Sequence, residues 1–265
     1  MEELVKVSIF KDLSLTLSKK DLLMTLSTED IRQRYRRSVL GPFWITLSMG
    51  ILILTLGTLY GSLFKVDLTT YIPFLAAGLV IWGFISQSLS ELCLAFVESA
   101  HYIKQVKIPL VIYILRILIR NLIILFHNSI IIVVTLIFFD AALVWQYLLI
   151  IPAILLLFIN LVWAGVVVAI VSSRYRDVSQ IIVSLLQPIF FFTPIIWTVD
   201  LVPDRTYLID SNPFYHLIEL VRAPILGQIP SNLTLMVVLT MTVLGWLFAA
   251  YFYKKYQHKI AYWVI

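Results

Sequence analysis

The chain has 265 residues, 61% of them hydrophobic and only 13% charged, against roughly 45–50% apolar usage in soluble domains. A mean hydropathy of +0.96 excludes a soluble globular protein, and the few ions fall in clusters between long apolar runs because charge in hydrocarbon is costly. The single cysteine, Cys93, leaves no intrachain disulfide and makes redox chemistry improbable.

The polar N-terminus lacks the apolar core and small-residue cleavage site of a secretory signal, so the first span is expected to act as an uncleaved signal. From Ser8 to Gly41, Leu22, Leu23 and Leu26 alternate with charge ahead of the basic run Arg32-Gln33-Arg34-Tyr35-Arg36-Arg37, the pattern of an interfacial helix. Ser27-Thr28-Glu29-Asp30 reads as the cap of a second helical turn, with Ser27 at the N-cap and acids in the first turn. Leu40-Gly41-Pro42 breaks that helix.

Crossing about 30 Å of hydrocarbon takes about 20 mostly apolar residues. Six runs qualify: Phe43–Phe64, Tyr71–Ser90, Arg116–Phe139, Leu143–Val171, Ile181–Trp197 and Leu233–Tyr253. Between the second and third, the inner loop Glu91–Leu115, which contains Glu98 to Lys107 ahead of Pro109, is too polar to span and long enough for a short helix at the cytoplasmic face. Pro188 and Pro194 each remove a hydrogen bond from the fifth run and favour a kink. Between the fifth and sixth, Pro213–Val221 is apolar but too short to cross, and reads as a short or re-entrant helix at the outer surface. His216 and Glu219, one turn apart there, read as a surface pair. Trp44, Trp82, Trp145 and Trp163 read as anchors at the membrane interface.

Six is even, so both termini share a side. Placing them in the cytoplasm puts every Lys and Arg inside except Lys65, Arg205 and Arg222, an N-in/C-in topology. The expected fold is thus an all-α integral membrane domain over residues 1–265. It comprises an interfacial segment (1–42), a six-helix membrane region (43–253) and a cytoplasmic tail (254–265).

Four segments carry a resemblance. They are Arg34-Tyr35-Arg36-Arg37-Ser38-Val39-Leu40-Gly41-Pro42-Phe43-Trp44, Lys104-Gln105-Val106-Lys107-Ile108-Pro109, Ser173-Arg174-Tyr175-Arg176-Asp177 ahead of Phe192-Thr193-Pro194-Ile195, and Asn212-Pro213-Phe214. In this order the chain resembles, over essentially its whole length, the membrane (permease) subunit of ABC-2-type polysaccharide exporters, the O-antigen and teichoic-acid export family. The resemblance implies a six-helix half-channel that forms a homodimer in the bacterial cytoplasmic (inner) membrane and docks two copies of a separate ABC ATPase. It would move a glycan on undecaprenyl pyrophosphate to the outer leaflet, with O-antigen favoured and capsular polysaccharide or teichoic acid as alternatives. The chain has no Gly-x-x-x-x-Gly-Lys-Ser/Thr loop. ATP and Mg are therefore expected on the ATPase; no cofactor, metal or nucleic acid is expected on this chain.

Candidate site residues carry a bland reading beside the functional one. Arg34 and Arg37 belong to a cluster that signals topology and attracts anionic lipid, yet guanidinium forks also suit pyrophosphate oxygens. Arg116 and Arg120, four apart on one helical face, either snorkel to the interface or, facing inward, need an anion such as Glu91 or the lipid pyrophosphate. By the resemblance, the segment with Glu98, His101, Tyr102 and Lys104 is the coupling helix for the ATPase. The first and fifth spans would line the pore, which nominates Tyr60, Phe64, Phe190, Phe191 and Trp197 as stacking surfaces for sugar, against packing or membrane anchoring.

Two other classes are disfavoured by the residues. An ion-coupled transporter or channel places ionisable groups at mid-span, where this chain has mainly His127 and Asn128, read as packing hydrogen bonds. A membrane-embedded glycan enzyme needs clustered carboxylates or histidines, whereas Asp200, Asp204 and Asp210 are loosely spaced.

Overall fold

The computed structural model describes residues 7–34, 36, 41, 43–106, 108–139, 142, 144–201 and 206–264. The described residues are helical and irregular, without strands. Two short helices, α1 (Ile9–Ser18) and α2 (Lys20–Arg34), precede α3 (Phe43–Phe64), α4 (Leu68–Leu92), α5 (Ala95–Glu98), α6 (Ala100–Gln105) and α7 (Val111–Phe138). A 3₁₀ turn (Trp145–Leu149) leads into α8 (Ile150–Arg174), followed by α9 (Asp177–Phe192), α10 (Thr206–Asp210), α11 (Pro213–Ile225) and α12 (Asn232–Trp263).

Among the described residues five helical stretches are long and apolar enough to cross a membrane: α3, α4, α7, α8 with its leading turn, and α12. They coincide with five of the six expected runs. The fifth run differs: α9 has only 16 residues and stops at Phe192 instead of reaching Trp197. Its C-cap, Thr193, is extended (φ −96°, ψ 133°) because the ring of Pro194 disfavours the helical region for the residue before it. Pro188 stays inside the helix, so the two prolines act differently. At about 1.5 Å per residue, α9 spans about 24 Å. Just beyond it, Thr193 Oγ1 accepts from Asn212 Nδ2 (2.9 Å), which ties the end of α9 to the start of α11.

Two more expectations are corrected. Ser27 is not an N-cap: α2 runs unbroken through it, and its hydroxyl donates to Leu23 O (2.8 Å) and to Arg116 O (3.2 Å). The break in the N-terminal segment falls instead at Lys19 (φ −102°, ψ 38°). His216 does not pair with Glu219 at a surface. It is buried between Thr234 Oγ1 (3.0 Å) and the Asp210 carbonyl (2.8 Å), and Glu219 takes Arg222 as its partner.

The helix ends are capped as their sequences dictate. Asp67 accepts from Thr69 N before α4, Asn212 accepts from Phe214 N and Tyr215 N with Pro213 at the first helical position, and Ser231 accepts from Thr234 N. Gly41, where the expected Leu40-Gly41-Pro42 break lies, has φ +54°, a conformation glycine adopts without strain.

The hub is α4. Of its apolar window 72% is buried, against 11% for α3, and it packs on α7, α3, α8, α11 and α9. On the far side α12 lies along α8, so close at Gly245 that a Cβ there would collide with the Trp163 ring. A hydrogen bond from Asn160 Nδ2 to Thr242 Oγ1 (2.8 Å) joins the same pair of helices, and Trp163 Nε1, also on α8, donates to Asn160 Oδ1 (3.0 Å), as polar side chains do where lipid offers no competing partner.

The bundle has two chemically distinct ends. At one, the buried Asp12 of α1 accepts from the first amide of α7, Val111 N (2.9 Å), and from Tyr253 Oη of α12 (2.8 Å), while Gln257 Nε2 donates to Val7 O (2.8 Å). The two described ends of the chain therefore meet. Burial pushes the Asp12 carboxyl above its ordinary value, and the bonds from Val111 and Tyr253 oppose that shift. At the other end lie the start of α4, the turn after α9, α11 and the start of α12.

Candidate functional site

The first of these ends carries the charge. Arg116 grips Asp30 of α2 with two nitrogens, Nε to Oδ2 at 2.7 Å and Nη2 to Oδ1. Arg120, one turn on, bridges two acids: Nη1 to Asp30 Oδ2 (3.2 Å) and Nη2 to Glu91 Oε2 (2.5 Å). Glu91, at the end of α4, also accepts from Arg34 Nη2 (2.9 Å), Asn121 Nδ2 (2.8 Å) and Gln87 Nε2 (3.3 Å). The inward alternative for Arg116 and Arg120 is thus the observed one, with Asp30 as an anion that the sequence reading does not consider. Among the described residues the Arg120 Nε is buried without a partner. Arg34 keeps 40% of its side chain exposed, against 12% for Arg120, so the cluster grades from water into the protein. Arg37 lies outside the described residues.

Beside the cluster, α5 and α6 cover the same end. Glu98, His101, Tyr102 and Lys104 are all exposed, with the His101 and Tyr102 rings edge to face (6.2 Å). Apolar Ala95 and Phe96 anchor the preceding turn in the core. The pair of short helices therefore presents a polar and aromatic outer surface on a fixed base.

The five aromatic candidates separate into two groups. Tyr60 and Phe64 pair with each other on α3 (5.5 Å). Phe190 lies between Trp82 (5.8 Å, tilted) and Phe191 (5.2 Å, edge to face), and Trp197 Nε1 donates to the Phe191 carbonyl (3.0 Å). Phe190 and Phe191 line a cleft of about 740 Å³ between α3 and α9, floored by α4; Tyr60, Phe64 and Trp197 are not among its lining residues. Trp82, expected as a membrane anchor, is instead a buried partner of Phe190 and Phe214.

At the opposite end Arg222 is 2% exposed. It donates to Glu219 Oε2 through Nε (2.9 Å) and Nη2 (2.6 Å), to the Pro194 carbonyl through Nη1 (2.6 Å), and lies over the Phe74 ring (4.1 Å). Tyr71 Oη donates to Ile196 O close by. These contacts fasten the turn after α9 to α4 and α11. The sequence reading places Arg222 in an outer segment and gives it no partner; its spacing of three residues from Glu219 is the signal that could have found the pair.

Long apolar helices packed around α4, with ions gathered at the helix ends, define a multi-pass, all-helical membrane protein. More narrowly, the chain belongs to the ABC-2 type transporter family, whose pattern it matches over residues 21–226. That bears out the family expected from the four segments. Among curated proteins it is similar to the O-antigen export system permease protein RfbA of Klebsiella pneumoniae, 22% identical over 204 residues that cover 75% of this chain and 77% of the relative. It is similarly related to the O-antigen export system permease protein RfbA of Myxococcus xanthus, 22% identical over 206 residues with the same coverage.

Proposed function

We propose that this chain is the permease half of an ATP-driven exporter that moves an undecaprenyl-pyrophosphate-linked polysaccharide, foremost O-antigen, across the bacterial cytoplasmic membrane. Two copies of the chain form the conduit, and two copies of a separate ATPase bind and hydrolyse ATP with Mg. Membership of the transporter family and the names of the curated relatives support this reading over capsule or teichoic-acid export. In that arrangement α9 and the turn after it make a sixth crossing, both termini face the cytoplasm, and the arginine-rich end is the cytoplasmic one.

The geometric observation that carries the reading is the gathering of guanidiniums, graded from water into the protein, at one mouth of an aromatic-walled cleft. Arg34, which reaches water, and Arg37 bind the pyrophosphate as charge-assisted forks. Arg116 and Arg120 supply positive potential and hold Arg34 in place through Glu91. Aromatic faces at Phe190 and Phe191, with Tyr60, Phe64 and Trp197 toward the far end, stack on successive sugars without reading their identity. The exposed face of α5 and α6, with Glu98, His101, Tyr102 and Lys104, docks on the ATPase and transmits its motion through Ala95 and Phe96 to the core.

The test is complementation in a strain that lacks its own O-antigen permease and carries the cognate ATPase. Surface polysaccharide restored by this chain supports the reading. Polymer that accumulates inside the cell, with the chain inserted in the membrane, contradicts it.

A further inference from the structure

The floor of the α3–α9 cleft carries a polar strip beside Leu79 and Trp82. Gly83, Ser86, Gln87 and Ser90 follow one another at spacings of three, one and three residues, which is a single helical face, and all four line the cleft with Gln187 of α9. The neighbouring cleft between α7 and α8, about 460 Å³, is a useful contrast. It is lined by Ile, Leu, Val and Phe side chains, with Ser129 and Tyr147 as its polar members, and suits lipid tails.

Lipid tails do not match the polar strip of the first cleft. Hydrocarbon offers no hydrogen-bond partner, and polar side chains on a crossing helix mark a pathway or a polar contact. Ser90 Oγ donates to the Ser86 carbonyl (2.8 Å) and Gln87 Nε2 to Glu91 (3.3 Å), which leaves both hydroxyls able to accept and the Gln87 carbonyl oxygen open. The exposed Gln187 amide makes no side-chain hydrogen bond among the described residues. The strip runs at one end into Glu91, which Arg34 and Arg120 hold, and at the other reaches Trp82, Phe190 and Phe191.

Hydroxyls and amides that both donate and accept, set between aromatic faces, are the groups that recognise a sugar: the ring takes the C–H face, the polar groups exchange bonds with the hydroxyls. We propose that Ser86, Gln87 and Ser90 of α4, with Gln187 of α9, form the hydrogen-bonding track along which the hydroxyls of the polysaccharide repeat units pass. The ligand is the neutral polymer, distinct from the pyrophosphate head at the arginines. Several weak, equivalent contacts along a path favour transit, because binding at any one of them is easily exchanged for the next. The inference rests on the export reading above.

Two experiments decide it. In the complementation strain, the variant Ser86→Ala/Ser90→Ala/Gln187→Leu leaves the charged cluster intact and is expected to lower surface long-chain polysaccharide about tenfold, as losing a few modest hydrogen bonds implies, at unchanged membrane level and oligomeric state. Wild-type amount and chain length from this variant overturn the track while the export reading stands; no export from the unsubstituted chain overturns both. The second experiment needs no export. Cys93 is fully buried, so Ser86→Cys and Ser90→Cys each present a single reactive thiol. A charged, water-soluble methanethiosulfonate should modify them in membranes about tenfold more slowly when the host makes the polymer than when it does not. Equal rates in the two hosts, or no reaction in either because the strip is closed by a second copy of the chain, overturn the proposal.

Discussion

Arg222 at one end of the bundle and Arg34, Arg116 and Arg120 at the other are all drawn toward the interior, but they are held in different ways. Arg222 is closed: one carboxylate, one carbonyl and one ring, all within the α4, α9 and α11 corner, occupy its fork. The trio is open. Its arginines come from α2 and α7 and their carboxylates from α2 and α4, and Arg34 reaches water. A saturated buried cation is a fastening, whereas a cluster shared among several helices and graded in exposure is suited to an anion that comes and goes. Burial of arginine alone therefore does not distinguish structure from function; the count and origin of its partners does.

Breaking the closed site should have the largest effect on stability. Arg222→Met leaves Glu219 without its cation and the Pro194 carbonyl without a donor, a loss of about 3–5 kcal/mol for a buried pair, visible as early thermal unfolding in detergent and low membrane yield. Arg120→Gln removes the bridge between Asp30 and Glu91 and should cost about 2 kcal/mol, with α2 loosening first, as protease protection of the N-terminal segment would report. Near-normal protection would mean Arg116 alone holds α2.

A smaller effect concerns Asp12, and its sign is opposite to the usual carboxylate. Its pKa is raised above 3.8 by burial, so the folded state favours the protonated form. The stability it contributes is full below 3.8 and is lost as pH rises through the shifted value. Asp12→Asn keeps an acceptor for Val111 N and Tyr253 Oη and should flatten that slope, so that pH scans of thermal unfolding for the two proteins converge at low pH and separate upward. Parallel curves would count against it. Smallest in stability is Phe191→Ala: the ring is 66% exposed, so unfolding should shift little while polymer export slows. Unchanged export would make Phe191 a lipid or partner contact.

Much of this fold is legible in the sequence because apolar run length is a one-dimensional signal. The expected Phe43–Phe64 run coincides with α3, and the other four long helices start and end within a few residues of the expected runs, although α12 continues unbroken to Trp263 through the expected tail. The early stop of α9 is also legible, since Thr193 precedes a proline. The site is legible in part. Arg116 and Arg120 on one face, with Glu91 as an anion, follow from helical spacing, but Asp30 comes from a segment more than eighty residues away, and its place in an apparent first turn disguises it. Asp12 is paired across still longer separations, to Val111 and Tyr253. Ser86, Gln87 and Ser90 look like ordinary small and amide residues until α3 and α9 are seen to leave them uncovered.

The contrast between the open and closed ends is tested most directly by Arg34→Gln/Arg37→Gln, assayed in the same cells for surface polysaccharide and, after purification, for thermal unfolding and oligomeric state. The glutamine introduced at position 34 can still donate to Glu91, and a half-exposed pair contributes at most about 1 kcal/mol, so the protein should insert, assemble and unfold like the wild type while export disappears. Normal export from this folded double variant would contradict the assignment of the open arginine cluster to the substrate's pyrophosphate.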